Sequence, residues 1–498
     1  MLLVFAQAGL GVVRFASHVW SAITFPYPLD YGEGPILDQA VRLGRLENIY
    51  PRDLSRPPYR VSNYPPLHLA LQAPLTRLAG PAYWYGRGLA AGSVLLASAG
   101  IVLVLRALGG DWIAALTGGL LLPSFPHVVD WSRLNRVDGL ALALSMAALV
   151  FAARGPQSRR SCLIAAALLV AAIYTRQSHA LAGPFTVCLF LLARGSRRRA
   201  LETAATIAAS SLVLLLALQV ATGGGFFRHV VTANVNPFFW PRVWPYLVEV
   251  WTQAPALVLG AAVITIAGRA SPSWWLVVPY LVGATASALT VGKVGSGVNY
   301  LYELFAALAL ATGALLAWTR RWPWVRIGLL VVVAWQLRTL DRWTAEHRER
   351  PLRARLAQRE EISRLSEIVR TADGPVLADE MMGLLPLNGR PVWLQPFEFR
   401  LLEWAGLWHE DGLVRDIERA RFAVILLYDP PDFDSPGQRW SDREREAIMR
   451  SYRATDRLAD NVVYRPLRSA ATAALSGPPA TSLGPLVRRL RIRARRGP

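Results

Sequence analysis

A chain of 498 residues in which 53% are hydrophobic, 18 are tryptophan and 18% are charged is too apolar, and too divided into long apolar blocks, for an ordinary soluble enzyme. The net charge of +20 does not point to nucleic acid, because the arginines cluster in short loops between apolar runs, where membrane topology accounts for them. Cys162 and Cys188 both fall inside apolar segments, which excludes a disulfide framework or a metal knuckle.

A membrane-spanning helix needs about 20 apolar residues. Eleven segments fit that template: residues 3–25, 83–105, 112–129, 137–153, 161–175, 179–193, 201–221, 244–267, 274–291, 300–318 and 323–339. The first lacks a basic leader and runs into FPYPLDYGEGP instead of a small-residue cleavage site, so it is expected to be a retained span. Arg14 is an anomaly within it, and the fifth and sixth segments are short enough to form a hairpin that does not fully cross. With the amino terminus inside, Arg106, Arg154, Arg159, Arg160, Arg194, Arg197, Arg198, Arg199, Arg269, Arg320, Arg321 and Arg326 all fall in inside loops. The stretches that carry chemistry then share the opposite, extracytoplasmic face of a multi-pass protein of the cytoplasmic (inner) membrane.

The first outside loop, residues 26–82, is long, and long ordered loops are usually functional. It opens with PLDYGEGP, where Asp30 and Glu33 would share one face of a helix and could act as general base with a supporting acid or metal ligand. The plainer reading is that these acids hydrate the end of the first span, and Gly32 and Gly34 speak for a turn. The loop also carries SNYPPLHL with Tyr64.

In the second outside stretch, DWSRLNRVD, Arg133 and Arg136 lie one helical turn apart, as do Asn135 and Asp138. Charges at that depth are expensive and are either paired between helices or functional. YTRQSH holds Arg176 and Gln177 between very short helices, at a level suited to bidentate contact with a phosphate. GKVGSGVNYLYE runs a glycine-rich turn with Lys293 into a helix, a plausible anion site, followed by Asn299, Tyr300 and Glu303.

After residue 340 the composition changes. Residues 342–371 are charged and helix-like, PVLADE, PVWLQP and FAVILLYDP suit buried strands, and GLVRDIERAR suits a helix between the last two. The expected organisation is an all-α membrane domain over residues 1–340, a small extracytoplasmic α/β domain over 341–466 and a disordered basic tail over 467–498.

One membrane face thus offers carboxylates for proton transfer, fixed cations, aromatics such as Trp131, Tyr174, Phe239 and Trp240 for stacking, and an apolar bulk for a lipid tail. A polyprenyl-phosphate sugar needs all four. The islands LDYGEGPILDQA, NYPPLHLAL, SRLNRVD, TRQ and KVGSGVNYLYE resemble the GT-C superfamily of lipid-linked-sugar glycosyltransferases, in particular the lipid A aminoarabinose transferases and protein O-mannosyltransferases. The resemblance implies a GT-C fold and inverting transfer of a sugar from a polyprenyl-phosphate donor to a glycan, lipid or protein acceptor. Glu33 matches the Glu of the family's Asp-Glu motif, Gly32 stands where its Asp would be, and Asp138 matches a later acid.

On that basis Asp30 or Glu33 removes the acceptor proton, and Asp138 is a third catalytic candidate. Arg176, Lys293 and Arg133 or Arg136 steady the leaving phosphate, and Tyr64, Gln177, Asn299, Tyr300 and Glu303 contact substrate. Two acids leave room for a divalent metal, though no His or Asp cluster demands one. The alternatives are a transporter or flippase of lipid-linked sugars, disfavoured by the lack of an internal repeat, and a non-catalytic envelope assembly protein.

Overall fold

The structure, a computed structural model, describes residues 1–234, 236–430 and 436–467. Of the tail read from sequence as disordered, residues 468–498 lie outside the described residues.

Each apolar segment is met by a helix or by a pair of helices. They run α1 (Leu2–Ile23), then α2 (Glu33–Gly44) and α3 (Leu67–Leu78) in the first loop, then α4 (Trp84–Ala107), α5 (Trp112–Leu121), α6 (Pro126–Ser132), α7 (Asp138–Arg154), α8 (Arg159–Ile173), α9 (Ala182–Arg194) and α10 (Arg197–Ala221). After the short α11 (Gly225–Val230) come α12 (Val243–Gln253), α13 (Pro255–Ala267), α14 (Trp274–Leu289), α15 (Tyr302–Trp318) and α16 (Pro323–His347). Among the described residues five helices are by themselves long and apolar enough to cross a membrane, or seven units if each of two bent pairs is one span. That falls short of the eleven spans expected, chiefly because α7, α8 and α9 have 17, 15 and 13 residues.

Prolines make the bends. The chain turns by 62° where Pro126 opens α6 and by 93° where Pro255 opens α13. A proline at the first helical position has no N–H to give to the preceding turn, so the earlier helix stops there.

Helix α15 is the axis of the bundle, with every residue from Tyr302 to Leu316 buried. Small residues make this feasible: a Cβ on Gly313 would lie 3.0 Å from the Ala114 carbonyl, and one on Gly118 3.0 Å from the Ala309 carbonyl. Helices α5 and α15 therefore touch backbone to backbone, a packing that recurs between membrane helices. At the other extreme α10 exposes Leu212, Val213, Leu214, Leu216 and Val220, a face suited to lipid tails.

The first loop is no hydrated turn. Helix α2 is buried from Glu33 to Arg42 and packs on α3 and on the C-terminal region. That region begins with α17 (Glu349–Ala357) and α18 (Arg359–Thr371) and continues through α19 (Leu384–Leu387), α20 (Pro396–Trp404), α21 (Asp411–Glu418) and α22 (Asp442–Ser451). Its sheet runs β1–β2–β4–β3, from β1 (Val376–Ala378), β2 (Val424–Tyr428), β3 (Tyr452–Leu458) and β4 (Asn461–Pro466), with β1 parallel to β2 and the other pairs antiparallel.

Three details differ from the sequence reading. PVWLQP is not a strand of this sheet; Leu394 instead bridges to Tyr59 of the first loop. The β3–β4 hairpin, unforeseen because Tyr452–Leu458 is mostly polar and exposed, turns through Ala459 and Asp460 with φ of 45° and 61°. Helix α16 passes residue 340 unbroken, so the boundary expected there falls inside a helix.

Candidate functional site

Where the first loop, the inter-helix loops and the C-terminal region meet, they enclose a cavity of about 530 Å³. Its wall takes Tyr31, Gly32 and Tyr64 from the first loop, Arg136 from the α6–α7 link, Arg176 and Gln177 from the α8–α9 link, Arg242 from the entry to α12, Lys293, Asn299 and Tyr300 from the loop before α15, and Phe397, Glu398 and Arg439 from the C-terminal region. Of the residues singled out from sequence, Arg136, Arg176, Lys293, Tyr64, Gln177, Asn299 and Tyr300 are brought together here.

The cations are fixed rather than free. Arg136 donates from Nη2 to Asp30 Oδ2 at 2.5 Å and lies 4.7 Å over the Trp131 ring. Burial opposes its charge, but Asp30 outweighs burial and pushes its pKa up. Gly32 leaves the space this needs, since a Cβ there would sit 2.0 Å from Arg136 Nη1. Arg176 pairs with Asp138, donates to the Asn299 carbonyl at 3.0 Å and lies 4.5 Å over the Tyr300 ring. Lys293, the single lysine of the chain, donates to Asn234 Oδ1 at 2.9 Å and is shifted down by burial. Burial raises the Tyr300 phenol, but Arg176 and Lys293 outweigh it and hold it below its ordinary value, so both cations lie close to it.

The glycine-rich turn beside them needs its glycine at one position: Gly295 has φ +81°, and a Cβ there would also press on the Phe397 ring at 2.9 Å. Unmade bonds remain in this wall. Among the described residues Arg136 Nε, Arg242 Nε and Gln177 Oε1 are buried without a hydrogen-bond partner, the condition of polar groups that a ligand satisfies.

Five of the sequence candidates do not line the cavity, and each has a physical reason. Glu33 is fully buried and saturated. It receives Arg87 Nε at 2.8 Å, Arg87 Nη2 at 2.7 Å, the Leu29 amide at 2.8 Å and the Asn135 amide at 2.7 Å. Burial alone would raise its carboxyl, but Arg87 and the two amides hold it below the ordinary value, so it is a poor proton acceptor. Asp138 receives Trp131 Nε1 at 2.8 Å and Asn299 Nδ2 at 3.1 Å beside its pair with Arg176. Asp30 stands behind Arg136. Arg133 is turned to Asp130, at 2.6 Å and 3.1 Å, and offers nothing to the cavity. Glu303 is buried inside the helix bundle, 3.4 Å from His179 Nδ1.

Sequence reasoning missed Arg87, Arg242, Glu398 and Arg439. Arg87 carried a signal, a lone arginine just inside an apolar helix, which has to find an acid. Glu398 and Arg439 carried none, being ordinary charges in a polar region. Arg439 pairs with Asp379 at 2.8 Å and Glu380 at 2.9 Å and lies 4.6 Å over the Tyr31 ring. Among the described residues no three His, Cys, Asp or Glu gather in a group able to hold a metal ion.

The family model described as dolichyl-phosphate-mannose-protein mannosyltransferase matches residues 63–221 of this chain. A search of the curated proteins finds no match. Among solved structures, ArnT from Cupriavidus metallidurans bound to undecaprenyl phosphate is similar, with a TM-score of 0.63 at 16% identity over 94% of this chain and 99% of that one. The apo oligosaccharyltransferase of Archaeoglobus fulgidus is similar too, with a TM-score of 0.52 at 10% identity over 94% of this chain and 74% of that one. At such identities the likeness is one of fold.

Proposed function

We propose that this protein is a membrane glycosyltransferase that moves a sugar from a polyprenyl-phosphate donor to an acceptor hydroxyl, with inversion at the anomeric carbon. The observation that carries the reading is the cavity wall itself, on which Arg136, Arg176, Arg242, Lys293 and Arg439 converge at the end of an apolar helix bundle. The undecaprenyl phosphate bound by the ArnT of similar fold supports a donor of this class.

Arg176 and Lys293, both close to Tyr300, take the phosphate. They are held by Asp138 and Asn234, so little reorganisation is needed when charge develops on the leaving oxygen. The lipid tail leaves past Arg242 into an apolar groove of about 540 Å³ lined by Trp244, Val248 and Trp251 of α12 and by α13, α14 and α15. The acceptor enters from the side of the C-terminal region, and the basic loops of the opposite end keep this face extracytoplasmic. Among the described residues the acids do not gather into a group able to hold a metal ion, and no step requires one.

The test is turnover by the full-length protein in lipid nanodiscs, given undecaprenyl-phosphoryl hexoses and pentoses with an envelope extract as acceptor. Release of undecaprenyl phosphate from at least one donor is expected. Donors that bind uncleaved, and that cross the bilayer when the protein is placed in sealed vesicles, would replace the enzyme with a flippase.

A further inference from the structure

The acids that the first loop and α7 bring to this region are already spent. Glu33 has four donors and Asp138 three, and Asp30 is committed to Arg136. Gly32, which does line the cavity, brings no carboxylate, and the Arg136 guanidinium fills the space beside it. Among the described residues that line the cavity, one is an acid, and it comes from the other end of the chain: Glu398, in the first turn of α20.

Its position is built, not incidental. The Tyr59 amide donates to the Trp393 carbonyl at 2.7 Å, the Gln395 amide returns to the Tyr59 carbonyl at 3.1 Å, and the Val61 amide donates to Gln395 Oε1 at 3.0 Å, so the first loop clamps the entry to α20. A second anchor joins the residues that precede α4 and α19, where the Tyr83 hydroxyl donates to the Gly383 carbonyl at 3.0 Å. From this frame Tyr31 finishes the alignment: its hydroxyl donates to Glu398 Oε2 at 2.6 Å and accepts the Phe397 amide at 3.1 Å.

We infer that Glu398 is the general base of the transfer, aimed into the cavity by Tyr31, which acts as a positioning residue. The inference rests on the glycosyltransferase reading. The acceptor hydroxyl gives its proton to the Glu398 carboxylate as its oxygen bonds the anomeric carbon. The bond from that carbon to the phosphate oxygen breaks, and its electron pair leaves with polyprenyl phosphate against Arg176 and Lys293. Glu398 then returns the proton to solvent. Burial raises the Glu398 carboxyl above its ordinary value, partly offset by Tyr31, Arg439 and Arg136, and a more basic carboxylate suits this task.

The experiment uses full-length protein in nanodiscs, with the undecaprenyl-phosphoryl sugar that the wild type consumes and with labelled undecaprenyl phosphate as a binding probe. Glu398→Gln is expected to lower kcat about 100-fold or more with the probe bound as in the wild type, the range typical of a lost general base. Glu398→Asp retains part of the rate. Tyr31→Phe removes a donor to the anion, which raises the carboxyl pKa and moves the acid limb of the pH–rate profile to higher pH. Wild-type turnover by Glu398→Gln, or a loss of rate matched by an equal loss of probe binding, overturns the assignment while leaving the transferase reading intact. A wild type that consumes no donor overturns both.

Discussion

Glu33 and Glu398 are both glutamates in the first turn of a helix, where the helix dipole favours an anion, yet they have opposite fates. Glu33 is sealed between α2, α4 and the link before α7, with both oxygens occupied by Arg87 and by two backbone amides. Glu398 receives the Tyr31 phenol and its own backbone amide and faces a cavity lined with cations. The first acid joins three segments of chain and does nothing else. Saturation by partners, rather than residue type or closeness to the membrane, separates the structural acid from the reactive one.

The comparison can be broken most forcefully at Glu33. Glu33→Gln leaves the Arg87 guanidinium buried with only carbonyls for company, at a cost on the order of 3 to 5 kcal/mol of stability. The expected outcome is a low yield of folded protein and an early thermal transition, and Glu33→Leu combined with Arg87→Met should recover much of the loss. A protein of normal stability with Glu33→Gln would mean that the ion pair holds nothing together.

The cavity cations should respond in binding instead. Arg176→Ala or Lys293→Ala removes a charged donor worth about 1.5 to 3 kcal/mol, so labelled undecaprenyl phosphate should bind roughly ten- to hundredfold more weakly. Arg176→Lys should also lose affinity, because an ammonium cannot reproduce the planar fork that meets Asp138 and the Asn299 carbonyl.

Gly32→Ala tests the crowding beside Arg136. A methyl group placed 2.0 Å from the guanidinium must displace it from Asp30, with a penalty on the order of 1 to 3 kcal/mol. The same substitution added to Arg136→Ala should cost little, so a double-mutant cycle reads the contact directly. The smallest effect is expected at Arg133→Ala, which breaks only the pair with Asp130 and costs about 1 kcal/mol or less in the thermal transition, with undecaprenyl phosphate binding unchanged.

The sequence by itself determined the helices, the basic loops and three of the five cavity cations. An apolar run long enough to be a membrane helix is set by composition alone, and Arg136, Arg176 and Lys293 stood out as charges wedged between such runs. Local charge patterns could not say which groups were already paired, so Arg133, one turn from Arg136, read the same although it faces Asp130. The acids read alike for the same reason. Of the partners that silence Glu33, Arg87 and Asn135 lie 54 and 102 positions away, and the Tyr31 that turns Glu398 toward the cavity is 367 positions from it. Whether a carboxylate is spent or available depends on how many donors reach it and on whether one side stays open. Both are properties of tertiary packing, which brings the C-terminal region down on the first loop, and neither has a local pattern from which it could be read.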